Sequence, residues 1–155
     1  MATEQQLQFL KEMYESAKRA DHRWPGAAAC EAVTETGWSA HIPKGSNNVL
    51  GIKALGKYKG PYVTADGTEQ NADGTFTIPA SMAWRVYKTT DDCFRDQMVI
   101  LTTQRNGDGA LLYQKALDAD TPEDYIVEES KIWSTGVLKG AIVLQIYKRY
   151  KEVFQ

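Results

Sequence analysis

The chain has 155 residues, the size of one domain that can bury a hydrophobic core. Hydrophobic residues make up 43% and charged residues 25%, close to the averages of globular proteins, which excludes intrinsic disorder as the main state. With 18 basic and 20 acidic residues the net charge is −2. Nothing in this balance resembles the strongly basic composition of nucleic-acid-binding proteins, so we expect no nucleic-acid partner.

The sequence gives no sign of a membrane segment, a disulfide framework or a metal site. It has no run of about 18 apolar residues, so we expect no membrane insertion, and residues 1–6 lack the basic and apolar parts of a secretory signal. Cys30 and Cys93 are predicted to be buried free thiols. His22 and His41 lie in no metal-binding motif, and we predict neither a metal nor a cofactor.

Helical signals occur along most of the chain. A first helix is predicted after Thr3, which forms a capping-box pattern with Gln6. A second helix is predicted from Pro25 to a stop at Gly37. Further helices are predicted after Thr90 or Asp91, around residues 111–117, after Thr121 and over about 138–153.

A non-helical stretch separates the second and third predicted helices. Residues 38–60 are rich in turn formers, which predicts an ordered loop. Two β-favouring pieces, residues 62–64 and 75–78, flank a polar segment, and we interpret them as a β-hairpin with a long tip. The sequence therefore predicts a single α+β domain over residues 1–155, mainly helical, with one inserted hairpin.

Two glutamates lie one helical turn apart near the end of the second predicted helix. Glu31 and Glu35 share a helix face. Glu35 stands in the last turn, where the negative end of the helix dipole and burial beside Trp38 would raise the pKa of its carboxyl. Such a carboxyl can serve as a general acid. Helix position alone favours the alternative that both glutamates are solvated surface residues. The choice between a catalytic and a surface role for Glu35 therefore depends on the residues around it.

Two ordered blocks resemble one enzyme family. AVTETGWS at residues 32–39 resembles the helix-end glutamate motif of the lysozyme superfamily. NNVLGIKA at residues 47–54 resembles the block that follows this motif in glycoside hydrolase family 73, which contains bacterial and phage β-N-acetylglucosaminidases. WRVY at residues 84–87 and FRD at residues 94–96 continue the pattern. The resemblance runs from the first helix to about Tyr150 and implies a lysozyme-like bundle of helices.

The same resemblance implies an activity and two catalytic residues. The expected reaction is cleavage of the β-1,4 bond after N-acetylglucosamine in peptidoglycan, with Glu35 as general acid. The family's second carboxylate lies in the hairpin, where Glu69 stands in segment 68–74. Glu69 would activate water or stabilise positive charge at the anomeric carbon. A solvated surface role for Glu69 is an equal alternative, because hairpin tips commonly carry exposed acids.

Candidate substrate contacts follow from the chemistry of sugars, which bind to flat aromatic rings and to amides that both donate and accept. The candidates are Trp38, Asn48, Tyr62, Trp84 and Trp133. Core packing is the alternative for each aromatic residue, and turn formation is the alternative for Asn48. Trp133 stands where the family has a tyrosine, so any hydroxyl function there is missing.

The expected partner is the glycan strand of peptidoglycan, bound by a monomer. The resemblance and the lack of a secretory segment favour a phage or prophage endolysin. Such an enzyme is made in the bacterial cytoplasm and reaches the wall after the membrane is permeabilised. A domain cut from a larger autolysin would look identical, so this origin stays open as well. Three alternatives to the activity also stay open: a muramidase or a lytic transglycosylase on the same fold, or a peptidoglycan-binding domain without catalysis.

Overall fold

The computed structural model describes residues 1–65, 69–77, 82–134, 136 and 138–155, and for residues 65, 69, 70, 76 and 77 it describes the backbone alone. Its helices are α1 (Glu4–Arg19), α2 (Pro25–Thr36), α3 (Thr90–Thr103), α4 (Gln114–Leu117), α5 (Pro122–Trp133) and α6 (Lys139–Arg149), with a 3-10 turn at Lys151–Phe154. Its strands are β1 (Tyr62–Ala65), β2 (Glu69–Gln70), β3 (Phe76–Thr77) and β4 (Met82–Arg85). The expected helical fold with an inserted β-region is confirmed.

The helix starts follow local capping chemistry. The Thr3 hydroxyl accepts from the Gln6 N–H at 3.1 Å while the Gln6 side chain accepts from the Thr3 N–H at 2.8 Å, which is the predicted capping box. Thr121 caps α5 as predicted. The α3 helix starts slightly earlier than expected, because Thr89 supplies the capping hydroxyl.

The β-region forms two antiparallel ribbons instead of the predicted single hairpin. Strand β1 pairs with β4, so that Tyr62 lies opposite Arg85, and β2 pairs with β3, so that Glu69 lies opposite Thr77. The predicted pairing of residues 62–64 with 75–78 is therefore wrong, although residue 78 itself lies outside the described residues. Propensity locates strands, but register depends on tertiary packing, which the local pattern does not contain.

The α2 helix is the centre of the fold. It packs against α1, α5 and α6. Its small side chains allow this close approach, and Ala28, Ala29 and Ala32 are fully buried. Cys30 and Cys93 are buried free thiols, as predicted. No helix within the described ranges is long and apolar enough to cross a membrane.

The Asp96 carboxylate ties strand β4 to helix α3. Arg85 Nη1 donates to Asp96 Oδ2 at 2.9 Å, and the Tyr87 hydroxyl donates to the same oxygen. The Arg85 guanidinium also donates through Nε to the Lys53 carbonyl at 3.1 Å. These half-buried contacts fix the ribbon, and with it the neighbouring Trp84, relative to the helices.

We expect Asp96→Ala to lower the free energy of unfolding by about 2–4 kcal/mol, because a half-buried guanidinium and a phenol lose their common acceptor. The matched control is Asp92→Ala on the same helix, which removes an exposed ion pair with Arg95. That change should cost less than about 1 kcal/mol. Urea unfolding measures both values, and equal losses would contradict the anchoring role of Asp96.

Candidate active site

Glu35 lies in the last turn of α2, directly before a sharp helix stop. Gly37 adopts the left-handed conformation with φ of 56°. Its N–H donates to the Thr34 carbonyl at 3.4 Å, and the Trp38 N–H donates to the Val33 carbonyl at 2.9 Å. These are the two hydrogen bonds of a Schellman motif, for which glycine is the usual residue. The chain therefore leaves the helix axis at Gly37, two residues after Glu35.

The Glu35 carboxylate forms an ion pair with the first residue of α6. Lys139 Nζ lies 3.3 Å from Oε1 and 3.2 Å from Oε2 of Glu35. The side chain of Glu35 is 15% exposed and that of Lys139 is 41% exposed, so the pair lies at the edge of the solvent. A ligand in the solvent can thus reach both groups.

Gly51 holds the loop against the other side of the carboxylate. Its φ is +65°, and a Cβ built on it would lie 3.1 Å from Glu35 Oε2 and 3.8 Å from Trp84 Cζ3. Any side chain at this position would be strained by the backbone and would crowd the carboxylate. Gly51 therefore brings the loop, Glu35 and Trp84 together.

Burial raises the pKa of the Glu35 carboxyl above its ordinary value, because the charged form loses hydration. Lys139 and Lys53 lower the pKa, but burial is the larger cause. Glu35 therefore keeps its proton to higher pH than an exposed glutamate. A protonated carboxyl at the edge of the solvent is what general acid catalysis needs.

Asn48 has a structural role in place of the expected substrate contact. Its side chain is 1% exposed. Nδ2 donates to the Ile52 carbonyl at 2.8 Å and to the Arg85 carbonyl at 3.0 Å, while Oδ1 accepts from the Ile52 N–H at 3.0 Å. The amide therefore joins the loop to β4 and has no surface left for a sugar.

The register of β1 and β4 separates two of the candidate aromatic residues. Trp84 lies opposite Val63 and bridges to Lys53 on its other side, whereas Tyr62 lies opposite Arg85. Directly opposed residues share a face, and successive residues alternate between faces. Trp84 is therefore on the face that meets Glu35, and the exposed Tyr62 is on the other face.

Trp133 braces the same loop from α5. Its indole Nε1–H donates to the Leu50 carbonyl at 3.3 Å, and its ring packs at 6.1 Å from the ring of Tyr113. The half-buried ring lies against the hydrophobic core. Its indole N–H is already bonded to the protein, and stacking of its half-buried ring on a sugar stays a proposal.

Trp38 contacts the opposite end of α6 from Glu35. Its ring packs edge-on against Tyr150, just past the last residue of α6, at a centroid distance of 6.0 Å. Lys139, which meets Glu35, is the first residue of that helix, and about 15 Å of helix axis separates the two ends. Trp38 and Glu35 are therefore neighbours in sequence with different surroundings.

For Glu69, the second expected carboxylate, the structure describes only the backbone. Glu69 lies in β2 opposite Thr77, and its side chain is outside the described residues. In the described part of the chain, no three His, Cys, Asp or Glu side chains are grouped closely enough to hold a metal ion. Because the side chain of Glu69 is not described, its catalytic role stays a proposal.

Sequence reasoning missed three charged groups around Glu35. Lys139 gave no signal, because it is 104 residues away in the chain. Glu31 was expected on a solvated face but is 6% exposed, and the Gln97 amide of α3 donates to its Oε1. Glu129 of α5, which is 2% exposed, interacts with it electrostatically. The signal for this burial was the run of alanines on every side of α2, which is typical of a helix covered all round.

Solved structures with the same fold come from several bacteria. The catalytic domain of the autolysin Auto from Listeria monocytogenes has 18% identity and a TM-score of 0.77, with 100% of this chain and 89% of that chain covered. An N-acetylmuramoyl-L-alanine amidase from Staphylococcus aureus has 19% identity and a TM-score of 0.78, with 98% and 43% covered. A peptidoglycan hydrolase mutant from Sphingomonas sp. A1 has 17% identity and a TM-score of 0.76, with 90% and 91% covered.

The sequence itself gives the family. A search of curated proteins found no match. The family model "Glucosaminidase", described as mannosyl-glycoprotein endo-beta-N-acetylglucosaminidase, matches residues 11–152, which include all of the elements around Glu35. The chain therefore belongs to the Glucosaminidase family and is a glycoside hydrolase.

Proposed function

We propose that this enzyme hydrolyses peptidoglycan at the β-1,4 bond after N-acetylglucosamine, with Glu35 as the general acid. The observation that carries the proposal is the Glu35 carboxyl itself, which is 15% exposed at a helix end and has a pKa raised by burial. Peptidoglycan as substrate is supported by the names of the structures that share the fold, an autolysin and a peptidoglycan hydrolase. We place the activity in lysis of the bacterial cell wall, as in an endolysin.

In the proposed first step, protonated Glu35 donates its proton to the glycosidic oxygen as the bond from this oxygen to the anomeric carbon breaks. The leaving sugar departs as a neutral alcohol, and Glu35 becomes a carboxylate. Lys139 Nζ, 3.2 Å from Oε2, stabilises that new charge. Water then attacks the anomeric carbon, and a proton returns to Glu35.

The positive charge that develops at the anomeric carbon calls for a second group. We propose Glu69 for this role, because it lies in the β-region that follows the loop at Gly51, at the position that the family resemblance indicates. A carboxyl separation of about 5 Å would make Glu69 a nucleophile, and one of about 6.5–9.5 Å would make it a base for water.

Trp84 is the proposed sugar platform closest to the reaction. It is half-buried, and its ring edge would come within 3.8 Å of a Cβ at Gly51, directly beside Glu35. A flat ring at this place can cover the apolar face of a sugar. Asn48 and Trp133 use their donors on the protein backbone, and Trp38 and Tyr62 lie away from Glu35, so we assign the sugar contact beside Glu35 to Trp84.

The test is a digest of purified peptidoglycan, with the products reduced by borohydride and identified by mass spectrometry. We expect reduced N-acetylglucosamine ends. We expect Glu35→Gln to lower their rate of formation by about 10²–10⁴-fold, because the amide has the same shape but no proton to donate. The control is Glu15→Gln on α1, an exposed residue paired with Lys18, which should leave the rate unchanged.

Each other product would overturn part of this proposal. Reduced N-acetylmuramic acid ends would indicate a muramidase, and anhydro ends would indicate a lytic transglycosylase. If the wild-type protein produced no new ends, the result would indicate a peptidoglycan-binding domain without catalysis. Equal rates for wild type and Glu35→Gln would exclude Glu35 as the acid.

Lys139 should set the alkaline limit of activity. Its positive charge lowers the pKa of Glu35. In Lys139→Met, we expect that pKa to rise, so Glu35 holds its proton longer and the alkaline fall of kcat/KM moves to higher pH. The control is Lys131→Met, which removes an exposed lysine paired with Glu128. A fall that moves to lower pH, or that moves equally in both variants, would contradict this role of Lys139.

A further inference from the structure

Lys53 and Trp84 form an antiparallel pair between the loop at Gly51 and β4. In this type of pair the backbone hydrogen bonds lie on either side of the two residues, the Cα atoms are about 4.5 Å apart, and both side chains leave the backbone on the same face. The two flanking bonds run from the Ala54 N–H to the Ala83 carbonyl at 2.9 Å and from the Arg85 N–H to the Ile52 carbonyl at 3.1 Å.

This pairing places the Lys53 side chain at the edge of the active site. Trp84 is on the face of β4 that meets Glu35, so Lys53 is on that face as well. Lys53 is half-buried, and a lysine in this situation covers apolar surface with its methylene groups and keeps its ammonium in contact with water. Burial lowers the pKa of the Lys53 ammonium, and the charge of Glu35 raises it. The two groups are therefore close enough for their charges to interact.

Lys53 and Lys139 approach the Glu35 carboxyl from distant parts of the chain. Lys139 Nζ lies 3.2 Å from Oε2, and both ammonium groups lower the pKa of Glu35. In the proposed mechanism Glu35 begins the reaction protonated, so in that state neither ammonium faces the negative charge of a Glu35 carboxylate. A negatively charged group of the substrate can replace that charge. Because Lys53 is partly removed from water, it attracts such a group more strongly than a fully hydrated lysine would.

The proposed reaction brings a group of this kind to the same place. The bond after N-acetylglucosamine joins its anomeric carbon to O4 of N-acetylmuramic acid, which is the leaving sugar. On the adjacent carbon, C3, this sugar has a lactyl ether that ends in a carboxyl group, and the stem peptide is attached to that carboxyl. The oxygen that Glu35 would protonate is therefore next to the substituent that distinguishes N-acetylmuramic acid from N-acetylglucosamine.

We propose that Lys53 determines substrate specificity by binding a carboxylate on the C3 substituent of the leaving sugar, either the lactyl carboxylate of a peptide-free strand or a carboxylate of the stem peptide. This inference rests on the proposed bond specificity and on Glu35 as the general acid. It gives Lys53 the recognition of an acidic glycan and leaves proton transfer to Glu35. Lys139 keeps its role beside Glu35, where it stabilises the anion that forms as the sugar leaves.

The test compares kcat/KM on three soluble glycan strands of equal length. The first strand is free of peptides and has lactyl carboxylates, the second is the same strand with each carboxylate converted to a methylamide, and the third has stem peptides. We expect the wild-type enzyme to prefer strands with a carboxylate over the methylamide strand by about tenfold, the lower end of what a hydrogen bond to a charged group contributes.

The variant Lys53→Met keeps the apolar part of the side chain and removes the ammonium, so the preference should fall to about one. Lys53→Arg keeps a positive charge and should keep most of the preference. The matched control is Lys57→Met, which removes an exposed lysine four residues further along the chain and should leave the preference at its wild-type value.

The three strands also distinguish the two sources of the carboxylate. A loss in Lys53→Met that is confined to the peptide-free carboxylate strand identifies the lactyl carboxylate as the group bound. A loss confined to the strand with stem peptides identifies a carboxylate of the peptide. A loss on both of these strands, with the methylamide strand unaffected, supports binding of either group.

Three results would overturn the proposal. The first is an unchanged preference in Lys53→Met together with reduced N-acetylglucosamine ends, which would overturn the role of Lys53 alone. The second is a loss of kcat/KM that is equal on all three strands, which a purely structural role predicts. The third is the formation of reduced N-acetylmuramic acid ends, which would overturn the proposed bond specificity and this inference with it.

Discussion

The hydrogen bonds of one buried amide hold the site together. Asn48 binds the backbone of Ile52 through both its oxygen and its nitrogen, and its nitrogen also binds the Arg85 carbonyl. This closes the loop at Gly51 against the Glu35 carboxylate and fixes the loop to β4. Asp96 then fixes β4 to α3 through Arg85. The surroundings of Glu35 therefore depend on polar contacts between segments that are far apart in the chain.

Opposing influences set the proton affinity of Glu35. Burial favours the protonated acid, and Lys139 favours the carboxylate. A general acid needs both states, since it donates a proton in one step and must be a stable anion in the next. Lys139 lies within 3.3 Å of both oxygens, which suits it to stabilise the anion.

Local patterns in the sequence predicted most helices and the position of Glu35 in the last turn of α2. The capping box at Thr3 and the stop at Gly37 depend on residues close in sequence, which is why both were predictable. The pairing of β1 with β4 depends on contacts such as that of Arg85 with Asp96, and a hairpin interpretation based on propensity missed it.

The chemistry of single residues was harder to predict, because it depends on burial. An asparagine in a loop and a tryptophan near a glycan site are both reasonable sugar contacts, yet Asn48 and Trp133 use their donors on the protein backbone. Glu31 was predicted to be on the same face as Glu35. Its position beside Glu129, 98 positions further along the chain, depends on the packing of α5 on α2 and leaves no local signal in the sequence. Lys139 reaches Glu35 only through the packing of α6 on α2.

The proposed role of Glu35 is tested most directly by a crystal structure of Glu35→Gln with a bound fragment of a peptidoglycan glycan strand. We expect the amide at position 35 to lie within hydrogen-bond distance of a glycosidic oxygen, about 3 Å, with N-acetylglucosamine on the side of the anomeric carbon. A strand bound with no glycosidic oxygen near position 35 would contradict the assignment of Glu35 as the general acid.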